Sequence, residues 1–182
     1  MANPDTIALA AKAEAEGLGA VLVGGNAVNL HAYSRTTFDV DLLVREEEAE
    51  RWLAFFKARG YAISRRTSNF IRLRFDADPT AALPLDLMLV NTETYRKIQS
   101  ESLRRDIGND LTLAIPTALH LIAMKLHALR NPQRVERGTD LQDVRHLIKT
   151  AKIDIFSPEF TAILEHYATD TIRRVIQSEF GK

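Results

Sequence analysis

The 182-residue chain has no cysteine. A disulfide framework and a thiolate zinc site are therefore excluded. Net charge is also missing, since 24 Lys and Arg balance 24 Asp and Glu. No global field draws such a chain to nucleic acid or to an anionic membrane, so any nucleic-acid contact needs a local patch. There is no long apolar run. The start, "MANPDTIALAAKAEAEGLGAVLV", is interrupted by Lys12, Glu14 and Glu16 and lacks a basic leader. It reads as neither a signal peptide nor a membrane span, and a cytoplasmic location is the expectation. Internal repeats and low-complexity linkers are absent too. What remains is 46% hydrophobic and 26% charged residues, the composition of an ordinary globular protein with a full core.

Local signals order the elements. Asp5 caps a helix over 6–16 that stops at Gly17, and "GAVLV" (19–23) reads as a short buried strand. "GGN" (24–26) reads as a turn into a two-turn helix. A strand carrying Asp39 and Asp41 follows, with Phe38, Val40, Leu42 and Val44 on the other face at period two. Residues 46–59 read as a helix ended by Gly60. "YAISRR" and "NFIRLRF" read as a strand pair with Arg72 and Arg74 on the outer face, and "LPLDLMLV" (83–90) as a further strand. Residues 92–101 read as helical, and "LTLAI" (111–115) as either a strand or an extended lead-in. Helices are expected from Pro116 to Leu129, from Thr139 to Lys149, and after Ser157 and Thr169. Strands crowd the first half and helices the second. This is an α+β pattern, with a mixed-sheet core over 1–110 and a C-terminal helical region over 111–182 packed on it.

The acidic residues carry the chemistry. Same-face neighbours on a strand lie only about 7 Å apart. Asp39 and Asp41 therefore repel each other and lose solvation within an apolar run. Either they pair with Arg35 or Arg45 at a strand end, or they hold a divalent metal, whose oxygen-ligand preference suits them. Asp86 is the only charge between Pro79 and Asn91. A carboxylate in an apolar strand needs a partner, which is either Arg72 or Arg74, or the same metal. Gly24-Gly25, at a strand-to-helix junction, lets the backbone turn sharply and a ligand approach closely, and the helix start beyond it favours phosphate.

Together, Gly24-Gly25, Asp39-x-Asp41 and Asp86 resemble the nucleotidyltransferase superfamily of the DNA polymerase β type. Within it, "VGGNAVNLHAYSRTTFDVDLLV" is most similar to the small AbiEii-type toxin nucleotidyltransferases of type IV toxin–antitoxin systems. The shared features are the Gly-Gly turn, the run Arg35-x-Thr37-x-Asp39-x-Asp41, and a later lysine helix followed by Asp140-x-x-Asp143. The resemblance implies a nucleotidyltransferase fold and catalytic, metal-binding roles for Asp39, Asp41 and Asp86 with two Mg2+ ions. It implies nucleotide contacts from Gly24, Gly25, Asn26, Arg35 and Lys125, and supporting roles for Thr37, Asp140 and Asp143. Asn26 stands where many relatives have serine, and its amide can still bond a phosphate oxygen. A basic residue usually precedes the first Asp of the later segment, where this chain has Thr139.

Some of these residues have a second reading. Lys125 is the only formal charge between Leu111 and Leu129. Leu119, Ile122, Leu126 and Leu129 form the core face of its helix. A lysine there either snorkels to the surface or, by the resemblance, meets a triphosphate. Thr139 and Gln142 fit a capping box, which would put Asp140 and Asp143 in a first helical turn where negative charge suits the dipole. The five histidines form no metal set, and His120 and His127 read as helix-packing residues. Residues 125–152 hold seven basic against three acidic side chains. Arg130, Arg134 and Arg137, with Arg72 and Arg74, read as either an anion-binding surface or solvated faces.

The implied reaction is Mg2+-dependent transfer of a nucleoside monophosphate from an NTP to an acceptor hydroxyl, with pyrophosphate leaving. The toxin branch implies an RNA acceptor and a cognate antitoxin protein. The alternatives are a small-molecule acceptor, as in antibiotic-modifying nucleotidyltransferases, and a non-catalytic nucleotide-binding or interaction protein.

Overall fold

The structure, a computed structural model, describes residues 5–31 and 33–181. Residues 1–4, where the leader reading begins, lie outside it. The chain forms two compact units, one of residues 5–27 and 35–116 and one of 28–34 and 117–181. No helix among the described residues is long and apolar enough to cross a membrane.

The first unit is built on a mixed seven-stranded sheet. Its strands are β1 (Val21–Val23), β2 (Val40–Arg45), β3 (Tyr61–Arg66), β4 (Phe70–Phe75), β5 (Leu85–Val90), β6 (Leu103–Gly108) and β7 (Leu111–Ile115). The order across the sheet is β3-β4-β5-β2-β1-β7-β6. β2 runs parallel to β5 and antiparallel to β1. Strand alternation sends Val40, Leu42, Val44, Ile71, Leu73, Leu85 and Leu87 to one face, and all are buried. The core there is completed by α1 (Thr6–Ala15), α3 (Ala49–Lys57) and α4 (Thr92–Ser100), which contribute Ala10, Ala13, Trp52, Phe56 and Tyr95. Burial pushes the Tyr95 hydroxyl up to about 12. Asp5 caps α1 by accepting from the Ile7 and Ala8 amides, and Gly17 ends it at φ +77°.

The second unit is helical: α5 (Ala118–Ala128), α6 (Pro132–Arg137), α7 (Thr139–Thr150), α8 (Pro158–Tyr167) and α9 (Asp170–Phe180). α5 packs on α7 and α8 through Leu121, Ile122, Leu126 and Leu129, with Val144, Leu147, Phe160 and Leu164. Thr117, Ser157 and Thr169 cap α5, α8 and α9 by accepting backbone N–H groups. Tyr33 stacks on His146 with ring centroids 3.7 Å apart.

The structure differs from the sequence-based expectation at several points. β2 starts at Val40, so Phe38 is not on the core face and is 77% exposed. The helix α2 (Gly24–Leu30) starts at Gly24, so the two glycines are its first residues and not a preceding turn. A 3-10 turn over Glu46–Glu48 precedes α3. β6 and α6 had no counterpart in the reading. α7 is not opened by a capping box: Gly138, at φ +72°, is its N-cap, with no side-chain capping bond.

Candidate active site

The three acidic residues converge because of strand register. Asp41 on β2 lies directly opposite Asp86 on the parallel strand β5, and opposite Val23, the last residue of β1. Both carboxylates leave the sheet on the face away from the α1, α3 and α4 core. Asp39 precedes β2. Each of the three offers an oxygen, and these atoms lie within 4.8 Å of one another. Asp86 is buried, while Asp39 and Asp41 are half-buried.

Two backbone features hold this geometry. Gly24 sits at φ +63°, and a Cβ there would lie 1.9 Å from Asp41 Oδ2. Only glycine allows both the conformation and the approach. Gly25 is similarly close-packed: an added Cβ would stand 2.7 Å from Thr37 Oγ1 and 2.8 Å from Arg35 Nη2. Asn26 is buried, and its Nδ2 donates to the Asp39 carbonyl at 2.8 Å, tying the start of α2 to the entry of β2. Thr37 Oγ1 donates toward the same carbonyl and toward Asp39 Oδ1, both at 3.4 Å. The run Gly24-Gly25-Asn26, Arg35-x-Thr37 and Asp39-x-Asp41 is thus one contiguous construction.

Arg72 enters the cluster. Arg72 on β4 is the register partner of Asp86. Its Nε donates to Asp86 Oδ1 at 2.6 Å and its Nη2 to Asp86 Oδ2 at 2.5 Å, and Nη2 also reaches Asp39 Oδ2 at 3.4 Å. The hydrogen bond to Asp86 raises the guanidinium above its ordinary value, against burial that lowers it. Three carboxylate oxygens within 4.8 Å of one another make an all-hard-oxygen donor set, which fits a divalent cation such as Mg2+. Arg45 is engaged by Glu48 at 2.8 Å.

The second unit holds its own buried charge cluster. Lys125 does not snorkel: it is buried, with Nζ 2.9 Å from Asp140 Oδ1 and 2.8 Å from Asp143 Oδ2. Arg134 Nε adds a bond to Asp140 Oδ2 at 2.6 Å. Asp140 and Asp143 are themselves buried, so they are not the solvated first-turn carboxylates that a capping box would present. Burial pushes Asp140 up, but attraction to Lys125 and the bonds from Arg134 and Lys125 outweigh it and hold the carboxyl below its ordinary range.

The other predicted basic residues are partly committed. Arg130 donates from Nε to the Tyr167 carbonyl at 3.1 Å and also bonds the His166 carbonyl, closing the end of α8. Arg74 and Arg137 are exposed, with no ion-pair partner among the described residues. His120 is half-buried and His127 is exposed, its ring edge-on to Tyr167.

Known proteins share this architecture. A solved antigenic nucleotidyltransferase-like protein from Paracoccidioides brasiliensis superposes with a TM-score of 0.58 at 15% identity, over 94% of this chain and 88% of that one. ANT(2")-Ia in complex with adenylyl-2"-tobramycin gives a TM-score of 0.60 at 14% identity, over 94% of both chains. The Megavirus polyadenylate synthase gives 0.51 at 14% identity, over 75% of this chain and 29% of that one. At such identities the likeness is one of fold. No curated protein sequence matches. The sequence itself, over residues 7–181, matches the family described as nucleotidyl transferase AbiEii toxin, type IV toxin–antitoxin system. With that match spanning nearly the whole chain, the protein belongs to the AbiEii nucleotidyltransferase toxin family.

Proposed function

We propose that the protein transfers a nucleoside monophosphate from an NTP to a hydroxyl of RNA. The acceptor oxygen attacks the α-phosphorus, an O–P bond forms, the bond to the β-phosphate oxygen breaks, and pyrophosphate leaves as the hydroxyl loses its proton. Mg2+ held by Asp39, Asp41 and Asp86 would neutralise phosphate charge and lower the pKa of the attacking hydroxyl. The chain's own part is positioning. Gly24 and Gly25 keep side-chain bulk away from the phosphates, Asn26 and Thr37 fix Asp39, and Arg35 beside Gly25 supplies positive charge. Lys125 is a further nucleotide contact in this reading, with Asp140 and Asp143 supporting it. A cognate antitoxin is the expected protein partner.

The observation that supports the reading is the convergence of three carboxylates with a Gly24 backbone that no side chain could replace. The test is incubation with each labelled NTP, Mg2+ and total bacterial RNA. Label should enter RNA with wild type and not with Asp41→Asn. Label released only onto an aminoglycoside or another small acceptor would replace RNA with the antibiotic-modifying reading, and no transfer to any acceptor would favour a non-catalytic nucleotide-binding protein. If RNA is the acceptor, neutralising Arg74 should flatten the salt dependence of RNA binding, by about 0.7 in log–log slope per lost phosphate contact on a single strand.

A further inference from the structure

Asp86 stands between two cross-strand neighbours of opposite charge, Asp41 on β2 and Arg72 on β4. Arg72 does more than offset it. The guanidinium takes both Asp86 oxygens in a fork, and its Nη2 turns also to Asp39 Oδ2 at 3.4 Å. It thereby spans two of the three residues of the carboxylate cluster. Charge-assisted, bidentate pairs are the strongest of the side-chain hydrogen bonds. This one is anchored by sheet register and not by a mobile loop.

We propose that Arg72 is the resident cation of this cluster and that a divalent ion loads against it, so that Arg72 sets the metal affinity of the site. This rests on the metal reading above. Without an ion, Asp86 is only 3% exposed and faces the like charges of Asp39 and Asp41. Arg72 supplies the compensation that a buried carboxylate requires. When an ion arrives, the same positive charge opposes it, whether the fork opens or only loosens. Arg72 thus stabilises the ion-free protein and weakens metal binding by the same contact. Arg74, two residues along the same strand face, has no such contact and serves as the comparison.

The inference is tested by direct Mn2+ binding, read by electron paramagnetic resonance, and by melting curves with and without Mn2+. Arg72→Gln should bind Mn2+ about tenfold more tightly than wild type, or more, as expected for removing a unit charge in contact with the ligand set. It should melt lower than wild type without metal, and its melting temperature should rise further on adding Mn2+. Arg74→Gln should leave Mn2+ affinity within about twofold of wild type, because solvent screens an exposed charge. If Arg72→Gln does not fold without metal, Arg72→Lys carries the test. It keeps the charge but cannot hold both Asp86 oxygens, which frees one for the ion, so it should tighten Mn2+ binding by less than the Gln variant does. Unchanged or weaker Mn2+ binding by the Arg72 variants would overturn the inference and make Arg72 a plain scaffold for Asp86. Absence of Mn2+ binding by wild type and all variants would overturn the metal reading itself, and this inference with it.

Discussion

Lys125 Nζ lies 2.8 Å from Asp143 Oδ2, and both side chains are closed off from solvent. The contact joins α5 to α7 inside the second unit, with Asp140 and Arg134 completing a cluster of two cations and two carboxylates. Removing one member of a buried ion pair is far more costly than never having the pair, because the remaining charge stays desolvated. Lys125→Met is therefore expected to lower stability by roughly 3–5 kcal/mol, measured by denaturant melts. Adding Asp143→Leu should recover part of that loss. If Lys125 also meets the nucleotide, the double variant will regain stability without regaining affinity for the NTP that wild type binds, measured by titration calorimetry.

Asp140 makes the same cluster sensitive to acid. Its folded-state pKa is depressed below the ordinary carboxylate value. The stability it contributes is therefore fully present above the unfolded pKa of about 3.9 and is lost as pH falls through the folded value. Asp140→Asn should melt below wild type at pH 7. The gap between the two should narrow progressively under about pH 4, in melting temperatures taken from pH 7 down to 2.5. A gap that stayed constant over that range would remove Asp140 as a contributor to the acid response.

The two glycines are expected to differ. Gly24→Ala places a Cβ into the Asp41 carboxylate in a left-handed backbone conformation. The backbone term alone is about 1–2 kcal/mol, and Asp41 must move. At Gly25 the φ is unstrained, and the nearest atoms are the Thr37 hydroxyl and the Arg35 guanidinium, ends of side chains of which the arginine can give way. Gly24→Ala should therefore lose more stability and more Mn2+ affinity than Gly25→Ala. The reverse ranking would place the critical close approach at the wrong glycine.

Asp41→Asn removes a charge from a group of like charges. Without metal the variant should melt at the wild-type temperature or above it, and with Mn2+ it should show little of the wild-type gain. A clear loss of metal-free stability would mean that Asp41 is held mainly by a cationic partner.

Much of the candidate site was legible because its signals are local. Asp39 and Asp41 alternate with apolar residues, Asp86 is alone in an apolar strand, and Gly24-Gly25 breaks an apolar run before a helix. Each needs only a few neighbours to be read. The missed elements lack such patterns. β6, "LRRDIG", is a sheet-edge strand with almost every residue exposed, so no alternation marks it. α6 buries no residue and is signalled only at its ends, by Asn131 before Pro132 and by Gly138 after Arg137. Asp140 and Asp143 were misleading for the opposite reason. A local pattern, a capping box from Thr139 to Gln142, accounted for them as first-turn charges that suit the helix dipole, while their actual partner sits on α5, 15 residues before Asp140. The fork of Arg72 on Asp86 depends on the β4–β5 register, which the loop between those strands leaves open.

The two compact units are not consecutive along the chain: residues 28–34 belong with those after 116, although they are made between the two halves of the Gly-Gly and Asp-x-Asp construction. On the ribosome this segment emerges early and must wait for its packing partners. Val28 is fully buried in the finished protein, and Tyr33 has no ring to stack on until His146 is made. At roughly 5–20 residues per second the wait lasts several seconds. The sheet can close around its carboxylates during that time, while the stretch inserted between Gly24-Gly25 and Asp39 remains unsatisfied. A chain ending at Pro116 would carry all three acidic residues of the site but would leave Val28 without the packing partners of its unit. For the same reason no single cut in the gene can release either unit whole.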